Sequence, residues 1–99
     1  MILEHALLGV KPGQGADFEA ALVKALPLIS ATPGFLGLEV RPCIEIANRY
    51  LLLVRWESVE AHEKGFRGSQ RYAEWKALLH HFYDPYPQVT HFAEPAVQS

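Results

Sequence analysis

The order of apolar and polar residues divides the chain into predicted strands and helices. Residues 2–11 are apolar at both alternating sets of positions, a pattern typical of a strand covered on both faces. The glycines of KPGQG at 11–15 predict a turn. Five apolar residues then recur at helical spacing: Phe18, Leu22, Ala25, Leu26 and Ile29. We expect Pro27 to kink or loosen this helix near residues 24–28, because proline removes one backbone hydrogen bond.

The second half of the chain predicts two strands, two helices and a closing strand. The two strands lie at 35–43 and 48–57, and LLLV is the apolar centre of the second. A short helix over 59–66 and a longer helix over 70–82 follow them. Residues 88–93 form the last predicted strand, so the order of elements is β-α-β-β-α-α-β.

Four residues mark the ends of the two later helices. Ser58 and Ser69 each stand where a side chain caps the N-terminus of the helix that follows. Gly68 separates the two helices, and we expect it to adopt a backbone conformation that is costly for other residues. Asp84 precedes a proline and therefore ends the longer helix.

This order of elements predicts an α+β fold of the ferredoxin-like type, in which helices cover one face of an antiparallel four-stranded sheet. A length of 99 residues suits one domain, with residues 94–99 as a loose tail. The strands are apolar on both faces, whereas the helices cover only one. We therefore expect a homodimer whose protomers meet through their uncovered sheet faces, forming a dimeric α+β barrel.

Composition narrows the range of partners. Hydrophobic residues make up 49% of the sequence, which also favours a partner surface in so short a chain. The formal net charge of −2 gives no basic surface for nucleic acid. No apolar stretch approaches membrane-spanning length, and the N-terminus lacks the basic segment of a signal peptide. Together with the single cysteine, Cys43, these features predict a cytoplasmic protein that has no membrane partner.

Two motifs carry a resemblance to a known family. The strand ending LLLVRWES is followed by EAHEKGFRGSQRYAEW, which contains W-E-S-x-E-A-H and then S-x-x-Y-x-x-W. Over roughly residues 2–93 the chain resembles the antibiotic biosynthesis monooxygenase family of dimeric α+β barrels. The resemblance implies a homodimer with a pocket between the sheet and the helices of each protomer. Some members oxidise polycyclic phenols with O₂ and neither metal nor flavin, and relatives degrade heme.

Three positions can be compared with the residues of that family. The aromatic-oxidising members place a tryptophan at the end of the third strand as a pocket wall, and Trp56 matches it. They also place an asparagine four residues earlier, where this chain has Leu52, so the resemblance does not extend to their specific mechanism. The heme-degrading members have an iron-binding histidine where this chain has Lys76, which argues against heme degradation of that kind.

The histidines are the candidates for a catalytic base, since histidine is the natural base near neutral pH. His5 and His91 lie on the first and last predicted strands, which are neighbours in this fold. They face each other if paired residue numbers sum to about 96, in a catalytic pair or in a simple polar contact. His80 either faces the pocket or caps the longer helix, and His62 either lines the pocket or packs against it.

Aromatic and basic residues are the candidates for substrate binding. Trp56, Tyr72 and Trp75 have the spacing of core residues, and a pocket cut from the core uses the same side chains as its walls. Arg67 precedes the N-terminus of the longer helix, a favourable place for an anion, although a surface ion pair is the favoured interpretation. No two histidines have the spacing of a helical zinc motif, so we expect no metal. The family resemblance implies that no cofactor is needed.

These features favour a cofactor-independent monooxygenase that acts on a small aromatic metabolite, such as a phenol or a quinol. A non-catalytic dimeric module that binds such a metabolite is the alternative, because both functions need an apolar cavity with a few polar groups. Heme binding is a third hypothesis. The predicted catalytic residues are His80, His91, His5 and His62, and the predicted binding residues are Trp56, Tyr72, Trp75 and Arg67.

Overall fold

The computed structural model describes all 99 residues and contains one sheet and two main helices. The strands are β1 (Ile2–Gly9), β2 (Phe35–Pro42), β3 (Arg49–Trp56) and β4 (Val89–Phe92), antiparallel in the order β2-β3-β1-β4. The helices are α1 (Gly15–Ser30) and α2 (Gln70–Leu79), and a π-helical turn (Ala61–Phe66) and a 3₁₀ turn (His80–Phe82) flank α2. The predicted ferredoxin-like fold is confirmed. None of the helices combines the length and apolar character needed to cross a membrane.

The inner face of the sheet forms the core together with the helices. Along β1 and β3 the even-numbered residues are buried, from Glu4 to Leu8 and from Tyr50 to Trp56. This alternation follows from the pleat, which turns successive side chains to opposite faces. The helices contribute Phe18, Ala25, Ile29, Trp75 and Leu79 to the same core.

The outer face of the sheet carries apolar residues on its two central strands and has no cover within the protomer. The odd-numbered residues of β1 and β3 that lie there include Leu3, Leu7, Leu51 and Leu53. Leu7 is 48% exposed, and Phe92 on the edge strand β4 is 51% exposed. Packing within one protomer therefore explains the apolar residues on the inner strand face, but it does not explain those on the outer face.

The register between β1 and β4 differs by one residue from the expected one. Glu4 pairs with His91 and His5 pairs with Thr90, so the paired numbers sum to 95. A slip of one residue moves a side chain to the opposite face of a sheet. The predicted pair of His5 and His91 is therefore wrong: His91 lies on the inner face beside Glu4, and His5 lies on the outer face.

The ends of the helices follow the sequence signals in part. α1 remains helical through Pro27 to Ser30, so the expected loosening is absent. Pro27 is exposed, so water can reach the backbone carbonyl that its missing N–H leaves without a partner. The Oγ of Ser58 accepts a hydrogen bond from the N–H of Ala61 at 3.1 Å, which confirms the predicted cap. Ser69 occupies the N-cap position of α2, but its Oγ donates to the carbonyl of Phe66 and caps nothing.

Gly68 lies between the π-helical turn and α2, where it is required for space and not for an unusual backbone angle. The glycines with positive φ are Gly13 and Gly34, so the expected special conformation at position 68 is wrong. A Cβ atom at this position would lie 2.5 Å from the carbonyl oxygen of Lys64. Any side chain therefore has to push the preceding turn away from α2.

Replacing Gly68 by alanine should lower the free energy of unfolding by about 1–3 kcal/mol, the usual cost of overpacking. Gly65 is the matched control, because its added Cβ would meet Thr32 at an ordinary 3.5 Å. Gly65→Ala should change stability by less than about 1 kcal/mol. Denaturant unfolding of both variants measures the difference, and equal midpoints for the two would contradict the close approach.

Candidate functional site

A small cavity lies between the inner face of the sheet and the segment that runs from the π-helical turn to Pro87. Its volume is about 40 Å³, and ten of its fifteen lining residues are hydrophobic. The charged or titratable nitrogen and carboxyl groups in its wall belong to Glu4, His62, Arg67 and His80. Three tyrosines, Tyr72, Tyr83 and Tyr86, complete the polar part of the lining.

Glu4 places a carboxyl group in the interior of the protein, with only 5% of the residue exposed. Its Oε1 accepts a hydrogen bond from the indole N–H of Trp56 at 2.9 Å. Trp56 is fully buried at the end of β3 and stacks on His62, with ring centroids 5.3 Å apart. Trp56 therefore holds the carboxyl from behind and does not itself line the cavity.

A row of three titratable side chains crosses the site from β1 to β4. Oε1 of Glu4 is 3.4 Å from Nε2 of His62, and Nδ1 of His62 is 2.8 Å from Nε2 of His91. His62 is 3% exposed, while His91 lies half-buried on the edge strand. Both ring nitrogens of His62 therefore have a protein partner, one on each side.

Burial sets the protonation of the two innermost groups in this row. It raises the pKa of Glu4 above 4.5, and the hydrogen bond from Trp56 and the charge of Arg67 oppose part of that rise. It lowers the pKa of His62 to about 3, helped by the nearby Arg67 and His91. At neutral pH the imidazole of His62 is uncharged. The close contact between Glu4 and His62 is accordingly not an ion pair, despite its 3.4 Å separation.

The other end of the cavity is formed by His80 and the tyrosine that follows it in the next loop. Nδ1 of His80 is 3.4 Å from the hydroxyl of Tyr86, whose side chain is 66% exposed and stands at the rim. Burial lowers the pKa of His80, and the charges of Lys76 and Arg67 lower it further. A neutral His80 argues against the protonated helix cap and in favour of the position in the cavity wall.

The structure brings most of the predicted catalytic residues together. His62 and His80 line the cavity, and His91 contacts His62 from behind the wall. His5 is the exception, since it lies on the outer sheet face and packs edge-to-face against Phe92. Three of the four histidines thus share one site, and the alternation of side chains along β1 places the fourth on the opposite face.

The predicted binding residues divide in the same way. Tyr72, Trp75 and Arg67 line the cavity, whereas Trp56 lies beneath Glu4 and contributes no wall. Leu52, at the position where the family resemblance implies an asparagine in aromatic-oxidising members, is a buried wall residue. The exposed Lys76 lies outside the cavity, with Nζ 5.9 Å from the centre of the Tyr72 ring.

Glu4 was not among the residues predicted from the sequence, although it is the central polar group of the site. The signal was present, because Glu4 falls on the same alternating face as Ile2, Ala6 and Leu8. A carboxylate at a core position is rare unless it is paired or functional. Tyr83 and Tyr86 were missed for another reason: they lie in the loop after α2, whose path no periodicity predicts.

The donor groups of this site are not arranged for a metal ion. No three His, Cys, Asp or Glu side chains in the protein form a suitable cluster. The two nitrogens of His62 face different partners, so Glu4, His62 and His91 do not converge on a common point.

The lowered pKa of His62 predicts how stability depends on pH. Between pH 3 and its ordinary value of 6.5 the unfolded chain binds a proton at His62 that the folded chain does not. Stability should therefore rise with pH in this window, by at most about 1.4 kcal/mol per pH unit from this residue. The raised pKa of Glu4 has the opposite effect: above pH 4.5 the folded chain keeps a proton that the unfolded chain has lost, so this residue lowers stability as the pH rises.

Unfolding free energies measured from pH 3.5 to 7 in the native protein and in His62→Gln test this linkage. The slope with pH should be smaller in the variant, whatever its absolute stability. His81→Gln is the control, because His81 is exposed and lies outside the cavity. An unchanged slope in His62→Gln would contradict a neutral, buried imidazole.

Comparison with known proteins places this geometry in a family. YczJ of Bacillus subtilis strain 168, described as uncharacterized, is 48% identical over 94 residues, which cover 95% of this chain and 99% of YczJ. The crystal structure of a candidate antibiotic biosynthesis monooxygenase from Bordetella bronchiseptica is 38% identical, with a TM-score of 0.90 and coverage of 95% and 96% of the two chains.

A more distant structure shares the fold. A mutant form of SnoaB, a cofactor-independent oxygenase of Streptomyces nogalater, has a TM-score of 0.81 at 14% identity and covers 99% of this chain and 97% of its own. Residues 1–78 match the family model described as antibiotic biosynthesis monooxygenase. The resemblance first carried by the W-E-S-x-E-A-H and S-x-x-Y-x-x-W motifs is confirmed, and the chain belongs to the antibiotic biosynthesis monooxygenase family.

Proposed function

We propose that this protein is a cofactor-independent monooxygenase that oxidises a small phenol or quinol with O₂ in the cavity beside Glu4. The observation that carries the proposal is the buried carboxyl of Glu4, which opens on an apolar cavity and has a raised pKa. Such chemistry requires a general base, and a raised pKa makes a carboxylate a stronger base. Deprotonated Glu4 can accept a proton from a bound hydroxyl or from an activated carbon.

Oxidation without a cofactor proceeds through an electron-rich anion of the substrate. Glu4 takes the proton, and the anion then reduces O₂ directly. When a ring C–H para to the phenol hydroxyl becomes a carbonyl and the phenol becomes a quinone, one atom of O₂ enters the product and the other leaves as water, so the electrons balance without a further reductant. The apolar walls exclude water, which favours reaction of the anion with O₂ over its reprotonation.

Several groups in the wall suit the stabilisation of that anion. Arg67 brings a positive charge whose effect on the pKa of Glu4, His62 and His80 shows how near it lies. A neutral His80 retains one N–H that can donate to an oxyanion. Such donors act strongly in a site from which water is excluded.

Binding of an aromatic ring requires the cavity to enlarge. A cavity of about 150 Å³ accommodates a benzene ring, whereas the resting volume here is about 40 Å³. Tyr86 and Pro87 at the rim are the residues whose displacement costs least, since Tyr86 is 66% exposed. We infer that substrate enters by moving this loop away from His80.

Oxygen uptake with a panel of phenols and quinols, without added flavin or metal, tests the proposal. Glu4→Gln should lower kcat by about 100-fold or more, because the amide cannot accept the proton. Ligand affinity measured by calorimetry should change less than about threefold, because Gln has the same shape. His81→Gln should match the native protein in both measurements.

The remaining outcomes distinguish the competing functions. Full turnover in Glu4→Gln, with loss of turnover in His80→Ala, would transfer the role of base to His80. Binding of a phenol without oxygen uptake by the native protein would favour the non-catalytic module. A Soret band on titration with heme would favour the third hypothesis.

Assembly as a homodimer through the outer sheet face is part of the same proposal. The support is the apolar character of that face and the exposure of Leu7 and Phe92 in a protomer whose inner face is already covered. Apolar surface of this kind is stabilised by removal from water. The dimer places two cavities on opposite outer sides of a shared double sheet.

Light scattering at micromolar concentration should give twice the 11.1 kDa mass of the chain. Leu7→Lys should shift the mass to that of a monomer, because it puts a charge in the centre of the shared surface. Val23→Lys is the control, since Val23 is 69% exposed on α1 and away from the sheet. A native mass of one chain, or a Leu7→Lys variant that stays dimeric, contradicts this interface.

A further inference from the structure

The row Glu4–His62–His91 contains more side chains than are needed to hold the carboxyl of Glu4 in place. Trp56 already donates a hydrogen bond to Glu4, and the helices already exclude water. His62 nevertheless places one ring nitrogen against Glu4 and the other against a second histidine on a different strand. The result is a continuous line of exchangeable protons from the cavity to the edge of the sheet.

We propose that Glu4, His62 and His91 form a proton relay that connects the cavity to solvent at the edge strand β4. The relay would carry away the proton that Glu4 takes up in the proposed oxidation. It rests on the proposed function only for the identity of the group that gives Glu4 this proton. Its existence in the free protein is a property of these three side chains alone.

His62 has two arrangements of its single ring proton, and each fits a different state of Glu4. With Glu4 protonated, its O–H donates to Nε2 of His62, and the Nδ1–H of His62 donates to Nε2 of His91. With Glu4 ionised, the Nε2–H of His62 donates to the carboxylate, and Nδ1 accepts from Nε2–H of His91. One imidazole thus satisfies both neighbours in both states.

Conversion between the arrangements moves one proton along the row. The proton on Glu4 passes to Nε2 of His62, while the Nδ1 proton of His62 passes to Nε2 of His91. His91 is then briefly an imidazolium and releases its Nδ1 proton to water. The net result is a carboxylate in the cavity and one proton in solvent. Both histidines are left as Nε2–H tautomers, and they must return to the Nδ1–H tautomer before the row can carry the next proton.

The distances and the burial support transfer in this direction. The step between the histidines is an ordinary hydrogen bond of 2.8 Å, and the step from Glu4 is 3.4 Å, within reach of a small side-chain adjustment. Glu4 and His62 are almost fully buried, while His91 is half-buried on an edge strand. His91 is therefore the member of the row that meets solvent.

The charges around the row keep its middle member neutral, as a relay requires. The titratable and charged groups that face it are Arg67 after the π-helical turn, Tyr72 on α2 and Tyr83 in the following loop. Burial lowers the pKa of His62 to about 3. The imidazole therefore passes a proton on and does not store one.

Nuclear magnetic resonance of the ring nitrogens in the free protein tests the relay without a substrate. We expect His62 to change from the Nδ1–H to the Nε2–H tautomer at the same pH at which the Glu4 carboxyl titrates. In Glu4→Gln the tautomer of His62 should be independent of pH, and in His81→Gln it should behave as in the native protein. A native His62 that keeps one tautomer while Glu4 titrates overturns the proposal.

A kinetic arm uses any substrate found for the enzyme. His91→Ala should lower kcat by about tenfold or more, with KM unchanged, and added imidazole should restore turnover. If His91 served only to hold the structure, added imidazole would not restore turnover. A fall in kcat that imidazole fails to reverse therefore also overturns the relay. Absence of any oxygen uptake in the native protein would instead remove the proposed function, while the tautomer measurement still decides whether the relay exists.

Discussion

Burial of the Glu4 carboxyl is the constraint on which the rest of the site depends. An unpaired carboxylate in an apolar interior is strongly unfavourable, so its neighbours must supply donors or its proton must remain bound. Trp56 supplies one donor from the end of β3, and His62 lies within 3.4 Å from the π-helical turn. The raised pKa of Glu4 is the remaining part of that cost, and the proposed role of Glu4 as a base rests on it.

An unusual local structure occurs beside the site. The segment from Ala61 to Phe66 forms a π-helical turn, a form that is rare and is found frequently at functional sites. This turn directs His62 and Phe66 inward together, and both are buried. Gly68 then allows the chain to pass close to Lys64 before α2 begins. Backbone and side chains thus cooperate to hold one imidazole between a carboxyl and a second histidine.

The two faces of the sheet carry different features. The inner face carries the cavity and its polar row, and the outer face carries exposed leucines that suit a second protomer. Because strand side chains alternate, each residue of β1 belongs wholly to one of these faces. Glu4 and His5 are adjacent in sequence, yet they serve opposite faces.

Periodicity and short motifs are local properties of the chain. Periodicity was therefore enough to predict the order of elements and a sheet with helices on one face, and the motifs were enough to indicate the family. Tyr72, Trp75, Arg67, His62 and His80, which the sequence offered as candidates, line one cavity. The partners of each histidine were decided only by the tertiary structure. A shift of one residue between β1 and β4 brought His91 to the inner face beside Glu4, and no local pattern records such a shift. His5 lies on the outer face because it alternates with Glu4 along β1. The place of Trp56 behind Glu4 and the path of the loop bearing Tyr86 were decided likewise, since both depend on contacts between segments far apart in the chain.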